Sequence, residues 1–293
     1  MTDQLALPAD LAMGSVTLDV ADLDAMTAYY RDAVGLTVLT AEGPLVMLGR
    51  SGTAGRSATP VVTLRHAPAL RHAGPREAGL FHTAILFQSR PALAAAVATV
   101  ASRYPDRFTG SADHLVSEAF YFDDPEGNGV ELYWDRDRTA WRWHDSRVEM
   151  ATLALDPNAY LREHLTEDAL AAHGTAPSVV GHVHLSVGDV DTAQRFYVDQ
   201  LGFDLTTSLG GQAIFVSAGG YHHHMAMNVW RSRGAGRRQP TLGLGLVDIV
   251  LPTPDDLGAL TERMRHHGTD VAHDGSAVAV EDPWGNRIRI RTS

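Results

Sequence analysis

Between residues 14 and 23 apolar and polar side chains alternate, with Val16, Leu18 and Val20 on one face and Thr17 and Asp19 on the other. This is the two-residue period of a half-buried strand, and it runs into Asp22, whose carboxylate can cap the first turn of a helix. The pattern returns at residues 181–190, where Val183, Leu185 and Val187 alternate with His182, His184 and Ser186 before Asp189. The following segments also echo, 28–36 against 195–203, and each reaches a glycine, Gly35 or Gly202, where a helix C-cap favours one. A second echo links 124–132 with 282–290. Each opens on Asp-Pro-x-Gly-Asn, a tight turn leading into a last strand. Ahead of each turn lie an apolar strand (80–87; 246–251) and an amphipathic helix (91–102; 255–266).

Four βαβββ modules account for these repeats, at about 12–66, 79–137, 179–232 and 241–292. They fall in two regions, 12–137 and 179–292. The connector, 138–178, starts aromatic and charged (Trp141, Arg142, Trp143, His144) and ends helical at 159–172. The expected fold class is α+β.

Composition narrows the chemistry. The 293 residues suit two domains, and 44% hydrophobic content supports a sizeable core. A net charge of −11 without a basic run argues against nucleic acid or an anionic membrane as partner. No apolar stretch approaches the roughly 20 residues of a membrane span. The start, Met1-Thr2-Asp3-Gln4, lacks the charged and apolar regions of an export signal, so a cytoplasmic location is expected. There is no cysteine, so a metal would be held by histidine, carboxylate and water. His82 and Glu131 in module two and His182 in module three make two histidines and a glutamate on strands able to face one another. That is the minimum set for a non-haem Fe(II) centre with open positions.

The module pattern resembles the vicinal oxygen chelate superfamily, which includes glyoxalases, bleomycin-resistance proteins and extradiol dioxygenases. The resemblance covers nearly the whole chain apart from the connector and the first dozen residues. It implies half-barrels, each closed by two modules and holding a metal on its concave face. Ligands are expected at the start of a module's first strand and in its last strand. Modules one and four look emptied there, offering Ser15, Val247 (or Asp248 in the neighbouring register) and Arg289. Arg289 is expected to be satisfied by a local carboxylate. Modules two and three keep His82, Glu131 and His182. One site forms only if two pairs with three and one with four, a crossed pairing that some ring-cleaving members use.

The resemblance also implies roles. In extradiol dioxygenases a tyrosine lies ten residues before the ligand glutamate, as Tyr121 lies before Glu131, and a His-His pair marks the other module's last strand. Here that run is His222-His223-His224. By strand alternation His222 and His224 share a face and His223 points away, so His224 is the expected acid/base, with His222 as the other choice. Tyr121 is expected to hydrogen-bond the substrate oxygen. His184, His222 and Tyr133 are second-layer or pocket candidates, and Tyr104, Trp141, Trp143, Phe215 and Trp230 could shape the pocket. The implied activity is extradiol cleavage of a catechol-type ring, or of a hydroquinone, with O2. The implied cofactor is Fe(II), with Mn(II) or another divalent metal as alternative, and the oligomeric state is left open between a monomer and a homo-oligomer. The rival readings are a glyoxalase-like or fosfomycin-resistance-like metal-dependent isomerase or transferase, and a non-catalytic small-molecule-binding protein.

Overall fold

The computed structural model describes residues 6–52, 58–274 and 276–293. Module one consists of β1 (Ala12–Val20), α1 (Leu23–Ala28), β2 (Thr37–Glu42), β3 (Leu45–Arg50) and β4 (Thr59–His66). Module two consists of β5 (Gly79–Phe87), α2 (Arg90–Arg103), β6 (Phe108–Asp113), β7 (Ser117–Asp123) and β8 (Gly129–Asp135). The connector carries short strands β9 (Trp143–His144), β10 (Arg147–Val148) and β11 (Leu153–Ala154), then α3 (Pro157–His164) and α4 (Glu167–Ala171). Module three runs through β12 (Ser178–Ser186), α5 (Val190–Gln194), β13 (Asp204–Leu209), β14 (Ala213–Ser217) and β15 (Met225–Asn228). Module four runs through β16 (Gly243–Leu251), α6 (Pro254–His266), β17 (Ala272–His273), β18 (Ala277–Glu281) and β19 (Arg287–Thr292).

The modules pair crosswise. One sheet has the order β17-β18-β19-β16-β1-β4-β3-β2 and joins modules four and one. The other, β11-β6-β7-β8-β5-β12-β15-β14-β13, joins two and three. Each is a curled half-barrel whose seam is an antiparallel pair of first strands, β1 with β16 and β5 with β12. The fold is the α+β architecture of paired βαβββ modules expected from the repeats.

Local chemistry explains the echoes. Asp22 and Asp189 cap their helices, accepting from the backbone N–H of Ala25 and Thr192. Both helices widen into a π-helical turn (Tyr29–Ala33; Arg195–Gln200) before the glycine. Each turn carries a tyrosine that reaches an Asp-Pro turn. Tyr30 donates to Asp124 and Tyr197 to Asp282, both over 3.1 Å. Asp124 also accepts from the backbone N–H of Glu126 and Asn128, and Asp282 from those of Trp284 and Asn286. Modules adjacent in the chain are thus tied helix to turn, while their sheets pair with the other half. A further tie runs from the Glu126 carboxylate to the backbone N–H groups of Ala21 and Asp22 at the start of α1.

One helix differs from expectation. Residues 91–102 read as amphipathic, yet α2 buries Leu93, Ala94, Ala95, Ala96, Val97 and Val100. The connector supplies the reason. Helices α3 and α4 pack against α2, so the side that would face water is covered too. The main core is continuous across all four modules, from Leu18 and Leu64 through Ile85 and Val183 to Val247 and Ile288. No helix among the described residues is long and apolar enough to cross a membrane.

Candidate metal centre and active site

Three adjacent strands at the seam of the second sheet bring the candidate ligands into line. β5 runs antiparallel to β12, with Ala84 opposite His182 and His82 opposite His184. On its other side β8 is parallel, with Glu131 opposite Ala84. The small Ala84 therefore separates a histidine from a carboxylate, and His82 enters from two residues earlier on the same face. The ladder slips by one residue at Gly181. A Cβ at that position would lie 1.7 Å from the Tyr133 hydroxyl, so glycine is what lets Tyr133 through.

His82, Glu131 and His182 are buried, and one ligand atom from each lies within 4.8 Å of the others. Nε2 of His82 is 2.9 Å and Nε2 of His182 is 3.1 Å from the same Glu131 oxygen, Oε2. The second contact is a hydrogen bond. His82 Nε2 is near enough for one but not in the direction for one, and it has no other partner. Buried polar atoms are normally satisfied. Two imidazole nitrogens and a carboxylate oxygen converging on one point, one of them orphaned, fit a divalent cation.

The protonation states fit as well. Burial pushes the His182 imidazole down to about 4, against the opposing pull of Glu131. Burial alone would raise the Glu131 carboxyl, but His182 and His82 beside it hold it well below the usual range. Burial also pushes His184 and His223 well down. Burial thus favours the neutral imidazole at His182, beside one carboxylate, the forms in which these groups bind metal.

Tyr121 sits opposite Glu131 on the ladder between β7 and β8, with its ring 5.6 Å from that of His82. Its hydroxyl is 2.7 Å from Nε2 of His114, a residue the sequence reading did not single out. Nδ1 of His114 lies 2.7 Å from the Ala151 carbonyl, which can only accept. The proton is therefore on Nδ1, and Nε2 accepts from Tyr121. The signal for such a partner was Tyr121 itself, since a phenol out of water needs one. Burial, then the Glu131 charge, raises the Tyr121 phenol well above its ordinary range, so it stays a donor.

The three-histidine run departs from the expected facing. His223, not His224, lines the cavity, with its ring 4.1 Å from that of His182. His224 turns to Ser217, whose hydroxyl is 2.9 Å from Nδ1, and to the backbone N–H of Ala218. His222 points to Asp135, 2.9 Å from Nε2. Strand alternation fails here because β15 begins only at Met225. The histidines lie in the bend before it, where hydrogen-bond partners decide which way each ring turns.

His184 lines the cavity without joining the triad. Its Nε2 accepts from the Asn228 amide over 3.0 Å, and its ring packs against Phe81, Phe215 and Trp230. Tyr133 donates to the Tyr221 hydroxyl, away from the triad. Of the proposed aromatics, Phe215 and Trp230 line the cavity. Trp141 meets His222 edge-on, Tyr104 packs on Tyr29, and Trp143 is exposed. The cavity holds about 800 Å³ and extends to Arg238, Leu242 and Leu244, so module four supplies part of its outer wall.

The family model for the glyoxalase/bleomycin resistance protein/dioxygenase superfamily matches residues 12–132 and 179–290. The chain belongs to that superfamily. Within it, the chain is similar to a catechol-2,3-dioxygenase of Bacillus subtilis (strain 168), 32% identical over 286 residues and covering 94% of each protein. Among the solved structures that share the fold are two examples. A Bacillus subtilis protein provisionally called a dioxygenase superposes with a TM-score of 0.64 at 14% identity, over 98% of this chain and 86% of that one. Maize glyoxalase I superposes with a TM-score of 0.55 at 15% identity, over 97% and 92%. Membership therefore leaves both ring cleavage and glyoxalase chemistry within reach of the fold, and the site must discriminate.

Proposed function

We propose that the protein is a non-haem Fe(II)-dependent extradiol dioxygenase that opens a catechol-type ring beside, rather than between, its hydroxyls. One observation carries the reading. The buried His82/Glu131/His182 set shares a single cavity with a tyrosine donor, Tyr121, and an unpaired imidazole nitrogen, on His223. Likeness to a catechol-2,3-dioxygenase supports it. When bound by two histidines and a carboxylate, Fe(II) supplies open positions for the adjacent oxygens of a diol and for O2. Mn(II) is the alternative occupant.

The chain's own groups divide the remaining work. His223 takes a proton from a substrate hydroxyl and returns it later, within reach because its ring abuts His182. Tyr121, whose hydroxyl hydrogen rests on Nε2 of His114, turns that hydrogen to the substrate oxygen on the Glu131 side when substrate binds. Phe81, Phe215 and Trp230, packed around His184, give the aromatic ring an apolar wall and keep water out. An isomerase of the glyoxalase kind draws a carboxylate from the last strand of both modules. In module three that strand, Met225–Asn228, carries no carboxylate, and Ala226 stands opposite His184 as Glu131 stands opposite Ala84, which favours the dioxygenase reading.

The test is protein reconstituted anaerobically with Fe(II), then given catechol and air, with O2 uptake and a yellow ring-cleavage chromophore recorded. The expected result is yellow product that requires both iron and Glu131, with the Glu131→Ala variant dark. Bound metal with no product across a panel of catechols and hydroquinones would transfer the site to isomerase or transferase chemistry.

A further inference from the structure

Behind His223 runs a chain of hydrogen bonds whose directions are all fixed by one carboxylate. Asp135 closes β8, and its side chain is 17% exposed. Its Oδ1 lies 2.9 Å from Nε2 of His222, and its Oδ2 accepts from the Tyr221 hydroxyl over 2.8 Å. The Tyr221 oxygen in turn lies 2.7 Å from the Tyr133 hydroxyl. On the other side of His222, Nδ1 lies 2.7 Å from Nδ1 of His223. The ring between is wholly buried and held under Trp141.

A carboxylate only accepts, so Nε2 of His222 carries the hydrogen that faces Asp135. In the neutral ring Nδ1 is then a bare lone pair. Nδ1 of His223 must donate to it, which leaves Nε2 of His223 as the lone pair open to the cavity. We infer that Asp135 and His222 are positioning residues that lock His223 in the tautomer whose Nε2 can accept the proton of a substrate hydroxyl. This rests on the reading of His223 as the acid/base. It adds two groups that do not touch the substrate and explains why a second histidine precedes the working one. Tyr221, itself held by a hydrogen bond from Tyr133, completes the lock by occupying the other carboxylate oxygen, so that Asp135 is restrained from rotating away from His222.

The experiment has two readouts. Protein labelled with ¹⁵N in histidine and loaded with Zn(II) is studied by long-range ¹H–¹⁵N correlation, with His223→Gln assigning the signals. In the parent protein, Nδ1 of His223 should appear protonated and Nε2 unprotonated. Asp135→Ala should populate the opposite tautomer of His222 and with it that of His223. In the Fe(II) protein, Asp135→Ala should lower kcat by about 10–100-fold with KM little changed, the usual range for an outer hydrogen-bond partner. Asp135→Asn, whose amide oxygen can still accept from Nε2–H, should recover most of that loss. A protonated Nε2 on His223 in the parent, or tautomers unmoved in Asp135→Ala, overturns the inference. The spectra do not depend on turnover. The expected tautomer in a protein that cleaves no ring would sink the proposed activity and leave the positioning role standing.

Discussion

The two half-barrels are built alike, and each buries a carboxylate among nitrogen groups on its concave face. In the barrel of modules two and three the carboxylate is Glu131, and its neighbours are imidazoles. In the barrel of modules one and four it is Asp248, 2.7 Å from Nε of Arg289 and 2.9 Å from Nε of Arg291. The ladders make the comparison residue by residue. Asp248 stands opposite Arg289 as Ala84 stands opposite Glu131, so Leu246 is the counterpart of His82. Neither Val247 nor Asp248 holds that position. Gly14 seats the Asp248 side chain, since a Cβ there would lie 2.4 Å from Oδ2. A guanidinium is always charged and offers only donors, so it satisfies a carboxylate and ends the matter. A neutral imidazole keeps a lone pair. One barrel has closed its polar groups onto one another, while the other brings two imidazole nitrogens and a carboxylate oxygen together beside a cavity.

The largest expected effect separates the barrels directly. Glu131→Ala, His82→Ala and His182→Ala should each lose most of the bound metal, and turnover with it. Asp248→Ala should keep its full metal content, measured after reconstitution and desalting. Undiminished metal in all three ligand variants would remove the site. Next comes the facing of the histidine run. His223→Gln should keep the metal and lose about 10²–10⁴-fold in kcat, the range for a general acid/base, whereas His224→Gln should stay near the parent rate. The reverse ranking would restore the facing expected from alternation. Tyr121→Phe should cost less, roughly 10–100-fold, corresponding to one hydrogen bond to a charged or developing group. The smallest effect belongs to the closed barrel. Arg289 and Arg291 are partly exposed, so Asp248→Ala frees them to water and should cost about 1–3 kcal/mol, read by urea unfolding. A larger loss accompanied by loss of metal would mean that the barrels are energetically coupled.

The sequence by itself determined what depends on neighbours along the chain. Period-two alternation placed β1 and β12, Asp22 and Asp189 capped their helices, and Gly35 and Gly202 adopt the left-handed φ of 84° and 92° that follows the helix end. Each Asp-Pro-x-Gly-Asn motif folds onto its own aspartate. The three candidate ligands and Tyr121 were legible because each sits within such an element, and the crossed pairing was legible because only it unites them. The tertiary structure alone decided what depends on groups distant in sequence. The connector covered α2 and removed its solvent face. His114 accepts from Tyr121 because the Ala151 carbonyl, distant in sequence, fixes its tautomer. His222, His223 and His224 each turned toward a different partner, Asp135, the cavity and Ser217. A strand dictates its side chains' facing through the backbone. Ahead of a strand, as at this run, facing belongs to whichever buried hydrogen-bond partner each ring can reach, and Asp135 and Ser217 lie on other strands of the barrel.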